Sequence, residues 1–506
     1  MAQGPSPQDK DPVASQAGAE QQEQQQQYQF IAVSPGRETR PSAETRRLVH
    51  SHAQANYRRR QGPHHLQRRQ RQTTWEVDVS PLLSKDDSTA AQNTSGGITS
   101  STATTAGQST GAVAISPVSL LAANRSDPFQ SFGIEAGSRA HRLWDHVYDG
   151  TCAKFRTLID IGFIDLVRET IAVSQMLSAS AWHLVHWCRT EDDSGEDARY
   201  ALITTRSLQQ RLNNLATGTS DEVITTVLAA AAYANLIKQT QIFQVHMDGL
   251  AKILHHRGGE QTLDSTAGLR LSMFWIETNG RFLQDAAPRY RPPYRLLARR
   301  SRLDLDMTDV SLLSHGENFD TLEQSEAVRH ICQQLRRLNH IMDEECTRRD
   351  LWHDSPFAVF HVSPILHDCL SIAHGTLRDE IQLRQRECFR LASILYLCEI
   401  RAKFDFEPGA GMLYGTKLQL MMGTEGLLPR WERSNNVFLL WILTVAACSA
   451  TLFDDLRTQF VSRLAECIHA AGIANVDDFC SIIYDFTWSR GAFGPALSSL
   501  AGTIRL

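Results

Sequence analysis

Lysine is scarce in this 506-residue chain, with 7 residues against 44 arginines, and cysteine is missing altogether before position 152. None of the 10 cysteines that follow forms a Cys-x-x-Cys pair, so zinc-ribbon, zinc-finger and dithiol redox frameworks are not expected. Cys388, Cys398 and Cys448 fall inside apolar stretches and read as buried, reduced thiols of an intracellular protein. Long hydrophobic runs are lacking too. Residues 437–453, VFLLWILTVAACSATLF, come nearest to a membrane span, but the run is short and interrupted by Thr444, Ser449 and Thr451. A fully buried core helix is the expectation there, and no membrane partner. The first thirty residues have no basic start and no apolar stretch, so no secretory leader is expected.

Catalytic signatures are equally sparse. The chain has no HExxH, no GxSxG and no GxGxxG after a strand. Gly409-Ala410-Gly411-Met412-Leu413-Tyr414-Gly415-Thr416-Lys417 comes nearest to a phosphate loop, but Thr416 stands where a Walker loop needs lysine, and the context is helical. It reads as an interhelical loop. His361 and His367-Asp368 lack a third ligand at usable spacing and read as surface or core histidines. Asp192-Asp193, Asp454-Asp455 and Asp477-Asp478 read as solvated carboxylates at helix starts. No catalytic residue, metal ligand or cofactor is assigned from the sequence, and an enzyme is not expected.

What the chain does have is segregated charge. The net charge of -5 conceals a segment, 37–72, with ten arginines against Glu38 and Glu44; that segment is +8 and the remainder carries -13. Within it, Arg58-Arg59-Arg60 and Arg68-Arg69-Gln70-Arg71 make a two-part basic cluster suited to a nuclear import receptor or to phosphates. Arginine in particular can fork onto phosphate oxygens or guanine edges. Residues 281–302, RFLQDAAPRYRPPYRLLARRSR, form a second basic stretch, for which pairing with acidic neighbours and binding stand level.

The composition divides the chain into four parts. Residues 1–27 end in a glutamine tract, and 73–125 include a stretch, 86–116, where 23 of 31 residues are Ser, Thr, Ala or Gly. Neither carries the apolar surface to offset backbone ordering, so both are expected to be disordered. Between them lies the basic arm, 28–72. It opens on the apolar run Phe30-Ile31-Ala32-Val33 and could form a helix over 43–60 with Val49, Ala53 and Tyr57 on one face.

From 126 to 506 the apolar spacing is helical, without sustained two-residue alternation, and an all-α body is expected. One helix is predicted to start at Ser220, with Asp221 and Glu222 in its first turn, and to run to Gly258-Gly259. Others are predicted over roughly 150–190, 196–216, 260–284, 321–348, 380–404, 434–453 and 475–488. Arg257-Gly258-Gly259 reads as a helix stop rather than a ligand site.

Several stretches resemble a group of fungal-specific transcription factor-like proteins that lack a zinc cluster. They are Phe30–Val33, Thr45–Ala53 and Tyr57–Arg60 in the arm, then Asp127-Pro128-Phe129, then His246-Met247-Asp248-Gly249-Leu250 with Arg257-Gly258-Gly259 and Phe274–Glu277, then Leu440-Trp441. The resemblance implies a helical regulatory domain of the kind that follows the six-cysteine zinc cluster in fungal regulators, here without that cluster. It implies a nuclear regulator of transcription, in this group often of secondary-metabolite genes. Arg46, Arg47, Arg58, Arg59, Arg60, Arg68, Arg69 and Arg71 would then supply import and DNA contacts, and the helical body a homodimer or contacts to other regulators. A non-DNA-binding partner of another regulator is the alternative, and a helical biosynthetic enzyme a more distant one.

Overall fold

A computed structural model describes residues 138–214, 217–303, 310, 313, 321–372, 381–407, 409–423 and 437–504. The disordered tail, arm and linker expected over 1–125 lie outside the described residues. Those that are described form helices and connecting turns with no strand, as the apolar spacing predicts.

In chain order the helices are α1 (Ser138–Tyr148), α2 (Ala153–Asp160), α3 (Phe163–Arg168), α4 (Val173–Trp182), α5 (Glu196–Leu212), α6 (Asp221–Leu236), α7 (Thr240–Arg257), α8 (Ala267–Gln284) and α9 (Tyr294–Leu297). There follow α10 (Glu326–Arg348), α11 (Ser363–Ser371), α12 (Ile381–Lys403), α13 (Gly411–Met422), α14 (Val437–Cys448), α15 (Asp454–Ala470), α16 (Val476–Thr487) and α17 (Arg490–Ile504). Two π-helical turns interrupt the pattern: His183–Cys188, continuing α4, and Ala358–Val362, leading into α11.

The predicted start at Ser220 holds. Its Oγ accepts from the Val223 amide at 3.4 Å, and Asp221 and Glu222 occupy the first turn. The single helix expected to follow does not. The chain turns at Lys238, which takes a left-handed φ of 61°, and the Gln239 amide reaches back to the Ala234 carbonyl at 2.9 Å in a helix-ending pattern usually built on glycine. Folding α7 back lets it pack on α6, so Phe243, Met247, Leu250 and Leu254 reach the core. The 150–190 segment likewise divides, into α2, α3 and α4.

The second half is organised around α14, whose residues Phe438 to Ala447 are all buried. No described helix is long and apolar enough to cross a membrane. Trp441 is fully buried beside Phe389, Tyr396 and Phe486, and its indole N–H donates to the Thr487 carbonyl at 2.7 Å. The loop expected at Gly409–Lys417 is a correction: from Gly411 it is helix α13. Gly411 and Gly415 have no side chains because Thr451 and Leu452, between α14 and α15, occupy the space a Cβ would need. Lys417 pairs with the Asp285 carboxylate at 2.6 Å, which also takes two hydrogen bonds from the fully buried Arg390.

Helix α15 starts at Asp454-Asp455, as expected for that acidic pair, but its run and α17 have no counterpart among the segments expected from periodicity. At the start of α17, Ser489 Oγ accepts from the Ala492 amide at 3.0 Å. Asp343 of α10 completes the cap, accepting from the Arg490 and Gly491 amides at 3.2 and 2.8 Å and from Ser489 Oγ at 2.5 Å.

Candidate functional site

Arg46, Arg47, Arg58, Arg59, Arg60, Arg68, Arg69 and Arg71 lie outside the described residues. Other stretches singled out in the sequence are placed. Arg257 donates to the Thr219 carbonyl at 3.0 Å and pairs with Asp221 at 2.5 Å, while Gly258 takes the left-handed turn that ends α7. That is a helix stop, as expected. In the 281–302 stretch, Arg289 pairs with Asp248, Arg302 with Glu344 and Glu345, and Arg300 lies over the Phe360 ring. His361 accepts from the Arg302 amide at 3.2 Å, and His367 lies 3.0 Å from the Tyr290 carbonyl. These side chains tie α7, α10 and α11 to the stretch. Burial lowers the His361 pKa to about 4, so it is a neutral core histidine.

Two features share Phe155 of helix α2. The first is a small cavity between α2, α4, α6 and α8. Phe155, Leu158, Met176 and Trp275 make its walls mainly apolar. Its polar groups are largely engaged elsewhere. Tyr233 Oη donates to Asp197 at 3.0 Å, Asn235 Nδ2 to the Ile276 carbonyl at 3.0 Å, and Asn279 Nδ2 to the Trp275 carbonyl at 2.6 Å. The Trp275 indole N–H has no hydrogen-bond partner. Apart from these groups and Lys154, the wall is apolar.

Beside the cavity, the chain leaving α12 turns sharply through Asp405 and Glu407, both at positive φ, and drives the Glu407 side chain inward until it is 3% exposed. There it meets Arg401 in a hydrogen-bonded ion pair, and Lys154 Nζ at 3.0 Å in a charge contact. Arg401 also donates to Asn279 Oδ1 at 2.5 Å and lies over the rings of Phe282 and Phe406. Burial works against the Glu407 charge, but the two cations outweigh it and bring the carboxyl down to about 2.

The second feature is a chain of four side chains. Asp149 Oδ2 accepts from His146 Nδ1 at 2.6 Å; His146 Nε2 lies 2.9 Å from His183 Nδ1; His183 Nδ1 lies 3.4 Å from Cys188 Sγ. Both histidines are buried and Cys188 is half-buried. The π turn at the end of α4 is what sets His183 and Cys188, five residues apart, one above the other. Burial lowers the His183 pKa to about 3, with the neighbouring His146 adding to the effect. Burial, then Asp149 and Cys152, push the Cys188 thiol up to about 11. Burial opposes the Asp149 charge as well, but its bonds from His146 and Thr151 hold that carboxyl below the usual range.

Sequence reasoning passed over this group. Thirty-seven positions separate His146 from His183, and a five-residue His–Cys spacing shares no face of an ordinary α-helix. The one local signal is His183-Leu184-Val185-His186-Trp187-Cys188 itself, which gathers two histidines and a cysteine within six residues.

No protein-family model, no curated protein and no solved structure matches this chain. The likeness to fungal-specific transcription factor-like proteins rests on the sequence motifs alone.

Proposed function

We propose that this chain is a nuclear transcriptional regulator, with the basic arm as its import signal and DNA contact and the helical body as its regulatory and dimerising part. The observation that carries the reading is the segregation of charge, +8 within 37–72 against -13 over the rest. An acidic body has no broad attraction for nucleic acid, so phosphate contact falls to the arm. Ten arginines in 36 residues supply forked donors for it. The pairing of Arg289 and Arg302, in the body's second basic stretch, with Asp248, Glu344 and Glu345 supports the same division of labour. Two arms on a dimer would bind one DNA more tightly than a single flexible arm, through their effective concentration. Control of a secondary-metabolite pathway is the target class that the sequence resemblance favours.

The experiment is the location of a fluorescent fusion with and without residues 37–72. Nuclear signal that disappears on deletion is the expected result. Cytosolic signal from both forms would overturn the reading.

A further inference from the structure

Among the described residues, His146, His183 and Cys188 are the group whose donor atoms converge, with Nε2, Nδ1 and Sγ all within 4.8 Å of one another. A hydrogen-bonded chain accounts for two of the contacts, but three features point further. First, the donors are two imidazole nitrogens and a thiol, the borderline-soft set that zinc prefers and calcium or magnesium does not. Second, tetrahedral zinc, with Zn–N near 2.0–2.1 Å and Zn–S near 2.3 Å, separates two nitrogens by about 3.4 Å and a nitrogen from a sulfur by about 3.6 Å. The observed 2.9 and 3.4 Å edges lie within about half an ångström of those values. Third, Asp149 bonds His146 on the nitrogen facing away from the cluster, at 2.6 Å. That carboxylate–histidine arrangement fixes the tautomer that leaves Nε2 as a donor to metal.

The surroundings fit as well. Phe155 lies edge-on to His146 and tilted against His183, and Trp187 stacks on His183, so the histidines are held between rings. Cys188 is the half-buried member, and beside it Trp187 is 49% exposed, so solvent reaches the Cys188 edge of the group.

We propose that His146 Nε2, His183 Nδ1 and Cys188 Sγ bind one zinc ion, with Asp149 orienting His146 and solvent in the fourth position. On binding, the Cys188 thiol loses its proton to solvent, and the His183 proton moves from Nδ1 to Nε2. No electron is transferred. The inference stands independently of the basic arm and of any role in transcription.

The test uses the full chain stripped of metal and titrated with Zn²⁺ against a chromophoric chelator, and separately with Co²⁺. The expected result is one Zn²⁺ per chain, and a Co²⁺ complex with a near-ultraviolet thiolate-to-metal band. Cys188→Ser, at a half-buried position, should abolish that band and weaken Zn²⁺ binding at least tenfold while the helical circular dichroism is kept. Asp149→Asn should weaken Zn²⁺ binding by about 10–100-fold with the band retained. Cys152→Ala, a neighbouring buried thiol, should leave both readouts unchanged. Adventitious binding to any of the 19 histidines alone carries no thiolate band, and binding through another of the 10 cysteines would survive Cys188→Ser. Absence of stoichiometric Zn²⁺, absence of the band in wild type, or equal binding by wild type and folded Cys188→Ser would overturn the proposal.

Discussion

Glu407 shows how much one side chain can hold. It sits between Arg401 and Lys154 with 3% of its side chain exposed, and the turn that delivers it keeps two non-glycine residues at positive φ. Substitution by glutamine keeps the shape but leaves two cations facing each other without their counter-charge. Glu407→Gln should therefore cost about 3 kcal/mol or more in urea unfolding at neutral pH. The pH dependence has a definite sign. The folded carboxyl titrates near 2 and an ordinary glutamate near 4.5, so between these values the unfolded chain binds the extra proton. The stabilisation is complete above about pH 5 and is lost as pH falls toward 2. The acid limb of the wild-type stability profile should be steeper than that of Glu407→Gln; parallel limbs would contradict the assignment.

At the scale of elements, close approach of helices explains which glycines matter. Gly280 lies in α8 where it meets α7, and a Cβ there would fall 2.1 Å from the ring tip of the fully buried Phe243. Gly249, in the middle of α7, has nothing within 4 Å of such a Cβ. The two should respond oppositely to the same change. Gly280→Ala should destabilise by about 1–3 kcal/mol through overpacking, whereas Gly249→Ala should stabilise by about 0.5–1 kcal/mol through helix propensity. Thermal melts of the two variants decide it, and a lower melting point for Gly249→Ala would mean that the face is covered. The π turn after α4 works at this scale too, since it alone brings His183 and Cys188 into register.

For the whole molecule, the arrangement to be tested is an arm of one sign attached to a body of the other. If the arm contacts DNA, log affinity should fall steeply with log salt. Each neutralised phosphate contributes about 0.9 to that slope, so Arg58→Ala, Arg59→Ala and Arg60→Ala together should reduce it by about 2.7. A slope that is flat in wild type would instead make the arm an import tag on a body that docks to another regulator. Fluorescence anisotropy at several defined salt concentrations separates the two.

The sequence by itself determined the helical class of the described body, because apolar residues recur at helical spacing and strand alternation is absent. It determined the start at Ser220, the stop at Gly258 and the burial of 438–447, since a cap, a left-handed glycine and an unbroken apolar run are local signals. It also determined the +8 arm, which needs no coordinates to be counted. Only the tertiary structure decided the rest. Lys238 ends α6 without a glycine because packing α7 against α6 outweighs the cost of a left-handed lysine. Helix α17 begins where Asp343, far away in sequence, caps its amides. Helix α13 hides behind glycines whose purpose is close packing on Thr451 and Leu452 rather than a loop. His146 joins His183 and Cys188 only because α1 packs on α4 and α4 ends in a π turn. Each of these depends on which distant residues become neighbours, and periodicity along a chain carries no record of that.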